Sequence, residues 1–329
     1  MKILSAAVIT TLGSSLGLNA GALLANESCY TSGTSSEGFF YPYTSISVGD
    51  ENGFKSLGFG KVKVLIESLL SDLYKSTNET EWEKINTAYF IVSSRFYYID
   101  MLEGFFRNND FGIKIILVKG DGCTIIEVLD EIKDNDDNTI IIAYDNLNES
   151  SVLSELFSLN RVKHSNLPEG TIPGEAMCGV VVGNNDTLPA LTVLGSEVEI
   201  ETSDSPGKII RANALVKAIK SVLDYQDIDY HELSLRFADL NGESQRSFES
   251  AIANTRLQKQ PMIPKLLSLN TVTPCGDVGC ASGLLQLALL FGAVTDEVLR
   301  SKIALRAPSL ALHQIYGEKG RRGVLLSRY

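Results

Sequence analysis

The chain has 329 residues, 44% of them apolar and 21% charged, which excludes a mainly disordered chain and suffices for one large domain or two smaller ones. Its 29 Lys and Arg face 40 Asp and Glu, a formal net charge of -11 that argues against a nucleic-acid binder or a polybasic membrane module. The excess is local: residues up to Thr187 carry 13 basic and 25 acidic side chains, and those from Leu188 onward carry 16 and 15.

At the N-terminus, Met1-Lys2, an apolar stretch and the Ala20-Gly21-Ala22 triplet allow a signal peptide with its cleavage site, and with it export. Thr10, Thr11, Gly13, Ser14, Ser15 and Asn19 interrupt the apolar run. The preferred reading is therefore a buried strand Ile3 to Ile9, a turn at Thr11-Leu12-Gly13 and a helix towards Asn26. Val62 to Tyr74 has apolar residues at Val62, Leu65, Ile66, Leu69, Leu70 and Leu73, the stripe of an amphipathic helix. Thr87 to Val92, Ile113 to Val118 and Thr139 to Tyr144 read as strands and Thr124 to Ile132 as a helix. Such uninterrupted apolar strands alternating with helices point to parallel strands buried on both faces. The polar run Asp134 to Asn138 lacks the spaced ligands of a calcium loop and reads as a solvated turn.

The second half repeats the theme, with strands Leu191 to Ile200 and Leu233 to Ala238 and helices Ala212 to Leu223 and Ser247 to Asn254. The helix Gly283 to Phe291 follows. Two short strands, Ala311 to Ile315 and Gly323 to Leu326, close the chain around the turn Glu318-Lys319-Gly320-Arg321. No repeat is visible in residue identities, and no apolar run reaches the roughly 20 residues of a membrane span. The histidines, His164, His231 and His313, stand alone, without further ligands at metal-binding spacing, so neither a metal nor another cofactor is expected. Cys29, Cys123, Cys178, Cys275 and Cys280 are odd in number and scattered, which fits reduced thiols and a cytoplasmic location.

Three patterns carry chemistry or close packing: Ile172-Pro173-Gly174-Glu175-Ala176 leading into a β-rich run, the turn Asp239-Leu240-Asn241-Gly242-Glu243 before a helix, and the small-residue loop Gly276 to Gly283. In that order and spacing, and with the turn Thr10-Thr11-Leu12-Gly13, the chain resembles the β-ketoacyl synthase branch of the thiolase fold over nearly its whole length. The resemblance implies an α/β fold in the thiolase-like α/β/α/β/α layering, with two related halves, 1–187 and 188–329. It also implies a homodimer formed by pairing central strands of the first half, or a ketosynthase-type or acyl carrier protein partner.

Family enzymes place a nucleophilic cysteine at a tight strand-to-helix turn, where backbone N–H groups lower the thiol pKa and hold the oxyanion. Here the turn is Lys119-Gly120-Asp121-Gly122-Cys123-Thr124, so Gly122 takes the nucleophile position and Cys123, the one candidate thiol, comes one residue late. The family's two catalytic histidines fall in regions that read Asp239-Leu240-Asn241-Gly242-Glu243 and Gly276-Asp277-Val278-Gly279, which contain none. Ionised carboxylates accept hydrogen bonds and raise a neighbouring thiol's pKa, so the usual Cys-His-His condensation is not expected.

The retained motifs then serve structure: Gly242 for a positive φ, Glu243 and Glu249 to cap or pair with Arg246 or Arg256, and Gly279, Ala281 and Gly283 for close approach. Asn241, Glu243 and Asp277 are expected to converge at the former active-site mouth. The preferred function is a degenerate ketosynthase-like partner or scaffold in lipid or secondary-metabolite biosynthesis. The alternatives are an acyl-thioester transferase or hydrolase using Cys123, and a non-catalytic acyl-binding module. An acyl-binding module needs the space behind the Gly120 to Thr124 turn to be open, not filled by Phe105, Phe106 or Met177. Lys319, Arg321 and Arg322 offer the one local basic patch for an acidic carrier protein, or else a solvated hairpin turn.

Overall fold

The computed structural model describes residues 1–48, 58–109, 111–184, 191–202, 210–258, 266–302 and 309–329. The junction at 187/188 lies outside the described residues. In chain order the first part contains β1 (Lys2–Ile9), α1 (Leu16–Ala25), β2 (Thr31–Thr34), β3 (Phe40–Tyr43), α2 (Gly58–Ser76), α3 (Glu79–Trp82), β4 (Ile85–Ser93), α4 (Ile99–Asn108), β5 (Lys114–Gly120), α5 (Thr124–Ile132), β6 (Asn138–Asn146), α6 (Ser150–Ser158) and β7 (Glu175–Gly183). The second contains β8 (Leu191–Ile200), α7 (Asn213–Tyr225), β9 (Leu235–Ala238), α8 (Ser244–Leu257), β10 (Leu267–Asn270), α9 (Val272–Cys275), α10 (Ser282–Thr295), α11 (Glu297–Lys302), β11 (Leu310–Tyr316) and β12 (Arg321–Arg328).

Ten strands form one mixed sheet in the order β10-β9-β11-β12-β8-β1-β7-β6-β4-β5. Read outward from the central β1 and β8 pair, both arms have the same order: first strand, last, fourth, second, third. The directions match as well, since β1, β7 and β6 are antiparallel neighbours and β6, β4 and β5 parallel, exactly mirrored by β8, β12, β11, β9 and β10. The repeat that residue identities hide is therefore plain in topology.

The parallel reading holds for β4, β5 and β6, whereas β7 and β12 run antiparallel to their neighbours. A short hairpin turn joins β11 to β12 and forces antiparallel pairing, because a parallel return needs a long crossover. Strand β7 is buried throughout, and apolar or small after Glu175, because helices cover both faces, whatever its direction.

Side chains of β1 alternate between two cores. Ile3 and Val8 join α5 and α10 in the central core, while Leu4, Ala7 and Ile9 meet the α2 stripe of Val62, Leu65, Ile66, Leu69 and Leu73. A third core joins α7 and α8 to β11 and β12. Helices thus lie outside each half-sheet and between them, the α/β/α/β/α layering. Thr10 and Gly13 bridge as the Thr-x-x-Gly turn requires, with Gly13 at φ 95°. No helix of the described residues is long and apolar enough to cross a membrane.

Candidate functional site

The parallel strands of both halves point their carboxyl ends at one cavity of about 470 Å³, the place where open α/β sheets usually bind ligands. Ser93 ends β4, Gly120 ends β5, Asp145 lies near the end of β6 and Tyr316 ends β11; all four line the space. Its remaining wall comes from loops that carry Asp121, Arg161, Glu243, Asp277 and Gly279.

At the turn after β5, Gly122 lines the cavity but Cys123 does not. Cys123 is fully buried at the N-cap of α5, its Sγ 3.7 Å from the Ile315 carbonyl oxygen. A Cβ on Gly323 of β12 would sit 3.0 Å from that sulfur. Burial, with Asp121 adding to it, pushes the thiol up to about 12. The Cys123 N–H donates to Asp121 Oδ1 at 2.9 Å, and the Glu318 N–H donates to Asp121 Oδ2 at 2.8 Å. Arg321 Nη1 lies 3.2 Å from Oδ1 of the same carboxylate. A built-in anion therefore engages the backbone donor that the turn offers.

Asn241 and Asp277 do converge. Asn241 Nδ2 donates to Asp277 Oδ2 and to Glu243 Oε2, both at 2.8 Å. Asp277 also accepts from Thr171 Oγ1 at 2.9 Å and from the Gly279 N–H at 3.0 Å. Burial alone would raise its pKa, but the Arg246 charge and these donors hold it below the ordinary carboxylate value. Asp145 accepts from the Asn146 and Cys280 N–H groups at 2.9 Å each and from the Cys280 thiol, and burial outweighs these donors and pushes it to about 6. Asp239 lies behind the lining, bonded to Arg246 Nη1 and Ser282 Oγ at 3.2 Å each; burial outweighs Arg246 and raises it to about 6 as well.

Glu243 forms a bidentate pair with Arg161, at 2.7 and 2.9 Å. Glu249 pairs with Arg322 at 2.8 Å, and Arg246 Nε lies 3.9 Å from Glu243 Oε2. Gly242 takes φ 99°, where a Cβ would lie 2.4 Å from the Gly170 carbonyl oxygen. A Cβ on Gly279 would meet Asp145 Oδ2 at 2.1 Å, and one on Gly283 the Gly122 carbonyl oxygen at 2.7 Å.

The three histidines lie away from the cavity: His164 stacks on Phe39, His231 sits 3.1 Å from Asp229 and His313 stacks in the core on Phe237. Burial lowers His313 to about 3. Phe105, Phe106 and Met177 pack into the outer core of the first half. The basic patch is largely consumed, since Arg321 pairs with Asp121 and Glu127 and Arg322 with Glu249. Among the described residues, no three His, Cys, Asp or Glu are placed to hold a metal ion. Sequence reasoning missed Asp145, Arg161 and Arg95; a carboxylate ending the apolar run Thr139 to Tyr144 was the available signal for the first.

No family model and no curated protein sequence matches the chain. Solved structures do. A chain of the AntDE:AntF complex, in which a type II polyketide synthase acyl-carrier protein is bound to its ketosynthase, aligns at TM-score 0.76 and 9% identity, over 99% of this chain and 98% of that one. An oxazolomycin ketosynthase domain from Streptomyces albus gives TM-score 0.74 at 12% identity, covering 99% and 73%. A ketosynthase in complex with its chain length factor, from Xenorhabdus doucetiae, gives 0.73 at 13%, covering 99% and 97%. The chain thus has the thiolase-like fold of the ketosynthases.

Proposed function

We propose that this protein is a non-condensing relative of the ketosynthases that acts as a partner or scaffold in the assembly of a fatty-acid-like or polyketide product. The observation that carries this reading is Asp121: its carboxylate accepts the Cys123 and Glu318 N–H groups, while the Cys123 sulfur is buried towards β11 and β12. A thiol held near 12 by burial is a poor nucleophile at neutral pH, and a carboxylate on the turn disfavours a second anion there. The carboxylates at the two loops of the former histidines accept protons or hydrogen bonds but, when ionised, cannot donate to a thioester carbonyl.

Partnership is supported by the sheet. Strand β5 is its edge, and Ile115, Ile116, Leu117 and Val118 are only half-buried. Such an edge is a template for antiparallel pairing, with a second copy in the preferred reading or with a ketosynthase-type chain; the Xenorhabdus ketosynthase is itself in complex with its chain length factor. A condensing partner is favoured over carrier protein, because the arginines of the local basic patch are already paired. The matched strand orders support two halves, 1–187 and 188–329. Four buried, unpaired thiols fit a reducing cytoplasm.

Incubation with an acyl thioester followed by intact-mass measurement tests the reading. No covalent acyl adduct is expected. A stable adduct that disappears in Cys123→Ala would overturn it in favour of acyl transfer or thioester hydrolysis at Cys123.

A further inference from the structure

Beside the main cavity lies a second pocket of about 40 Å³, which shares Arg95 and Asp145 with it. That space is worth about three waters. Its walls are aromatic. Phe96 stands nearly perpendicular to Tyr98, with centroids 6.0 Å apart at 74°, and to Tyr144, at 6.0 Å and 88°. Tyr97 completes the lining. Tyr144 is buried in the outer core of the first half and Phe96 packs against that core, while the half-buried Tyr98 and the exposed Tyr97 stand at its margin, where the pocket opens.

Two carboxylates, Asp145 and Glu149, line the same pocket. The two cations beside them are committed elsewhere: Lys61 Nζ lies 2.6 Å from the fully buried Glu175, and Arg95 bridges Glu155 and Glu318 at 3.2 Å each. Asp145 is 7% exposed, and its described partners, two backbone N–H groups and the Cys280 thiol, carry no charge to offset its own. Among the described residues, neither Asp145 nor Glu149 has a cation within ion-pairing distance.

We propose that this pocket binds the ammonium head of a small cationic ligand, a methylated ammonium above all, with the rest of the ligand extending into the main cavity. Aromatic faces attract a cation through their quadrupole, and the buried Asp145 and half-exposed Glu149 carboxylates add direct charge attraction. A neutral group would leave the carboxylates without a counter-charge, and an anion would be repelled by them.

Calorimetric titration with choline, methylammonium and 3,3-dimethyl-1-butanol, the neutral isostere of choline, tests this on the full chain. At least one of the two cations is expected to bind, and the neutral alcohol about tenfold more weakly or not at all. Glu149→Gln and Asp145→Asn, which keep side-chain shape, are each expected to weaken the cation about tenfold. The half-exposed Glu149 keeps the test open should the Asp145 variant not fold. Equal affinity for choline and its isostere, absence of binding by both cations, or cation affinity unchanged in the folded charge variants would overturn the proposal.

Discussion

Asp121 shows how one side chain redirects a strand-to-helix turn. It caps the Cys123 N–H, reaches the Glu318 N–H of the β11 to β12 turn and pairs with Arg321, so the turn is held by an internal anion. Gly122 beside it has no room to grow, since a Cβ there would lie 2.7 Å from Ser282 Oγ and 3.1 Å from Ile315 Cγ2. Gly122→Ala is accordingly expected to cost about 1–3 kcal/mol of overpacking in denaturant unfolding; a neutral result would place those neighbours further off. Asp145 makes a prediction with a definite sign. Its folded pKa, about 6, lies above the ordinary 3.8, so between those values the folded state holds a proton that the unfolded state has lost. Stability from this residue falls as pH rises from about 4 to about 6, by about 3 kcal/mol for two units. The unfolding free energy of Asp145→Asn relative to wild type is expected to move in the variant's favour by about that amount from about pH 4 to about pH 8, whatever constant offset a changed hydrogen bond adds. A difference independent of pH would contradict the burial of this carboxylate. An unneutralised buried charge is tolerable where a ligand supplies the missing cation.

At the scale of elements, periodicity made most of the fold legible. The α2 stripe, the strands β1, β4, β5 and β6 and the helix α5 follow directly from apolar spacing. Strand direction was legible for β4, β5 and β6, which helices separate and which pair in parallel, but not for β7, a run buried on both faces like β6 yet antiparallel to it. The β2 and β3 hairpin also escaped the reading, since Thr31-Ser32-Gly33-Thr34 has the composition of a loop. It is held by tertiary contacts: Tyr41 packs over Gly33 and edge-on to Phe157, while Phe39 stacks on His164 at 4.7 Å. Asn241 and Asp277 were legible because turns with retained glycines fixed their places, whereas Arg161 sits in an irregular segment with no period to mark it. Strand β5 carries the dimer prediction. Light scattering is expected to give a dimer for the native chain and a monomer for Ile116→Lys, where a charge meets the paired edge; a monomeric native chain, or a variant that stays dimeric, would contradict pairing through this strand.

Across the whole molecule, two arms of identical strand order enclose one polar cavity, and their charge differs: the acidic excess lies in the first half. The arginines around the cavity are spent on internal pairs, Arg161 with Glu243, Arg246 with Asp239, Arg322 with Glu249 and Arg95 with Glu155 and Glu318. The fold of the ketosynthases is therefore combined with a cavity whose charged groups mostly serve one another; the Cys123 sulfur is turned into the core, and Cys280, which lines the cavity, is buried with its thiol on the Tyr144 carbonyl oxygen. That separation of fold from reactive sulfur is most directly read by alkylating the native protein with iodoacetamide and mapping the modified cysteines by mass. The predicted result is rapid modification of the exposed Cys29 alone, with Cys123, Cys178, Cys275 and Cys280 protected until the chain unfolds. Modification of Cys123 in the folded protein as fast as Cys29, or faster, would contradict the account.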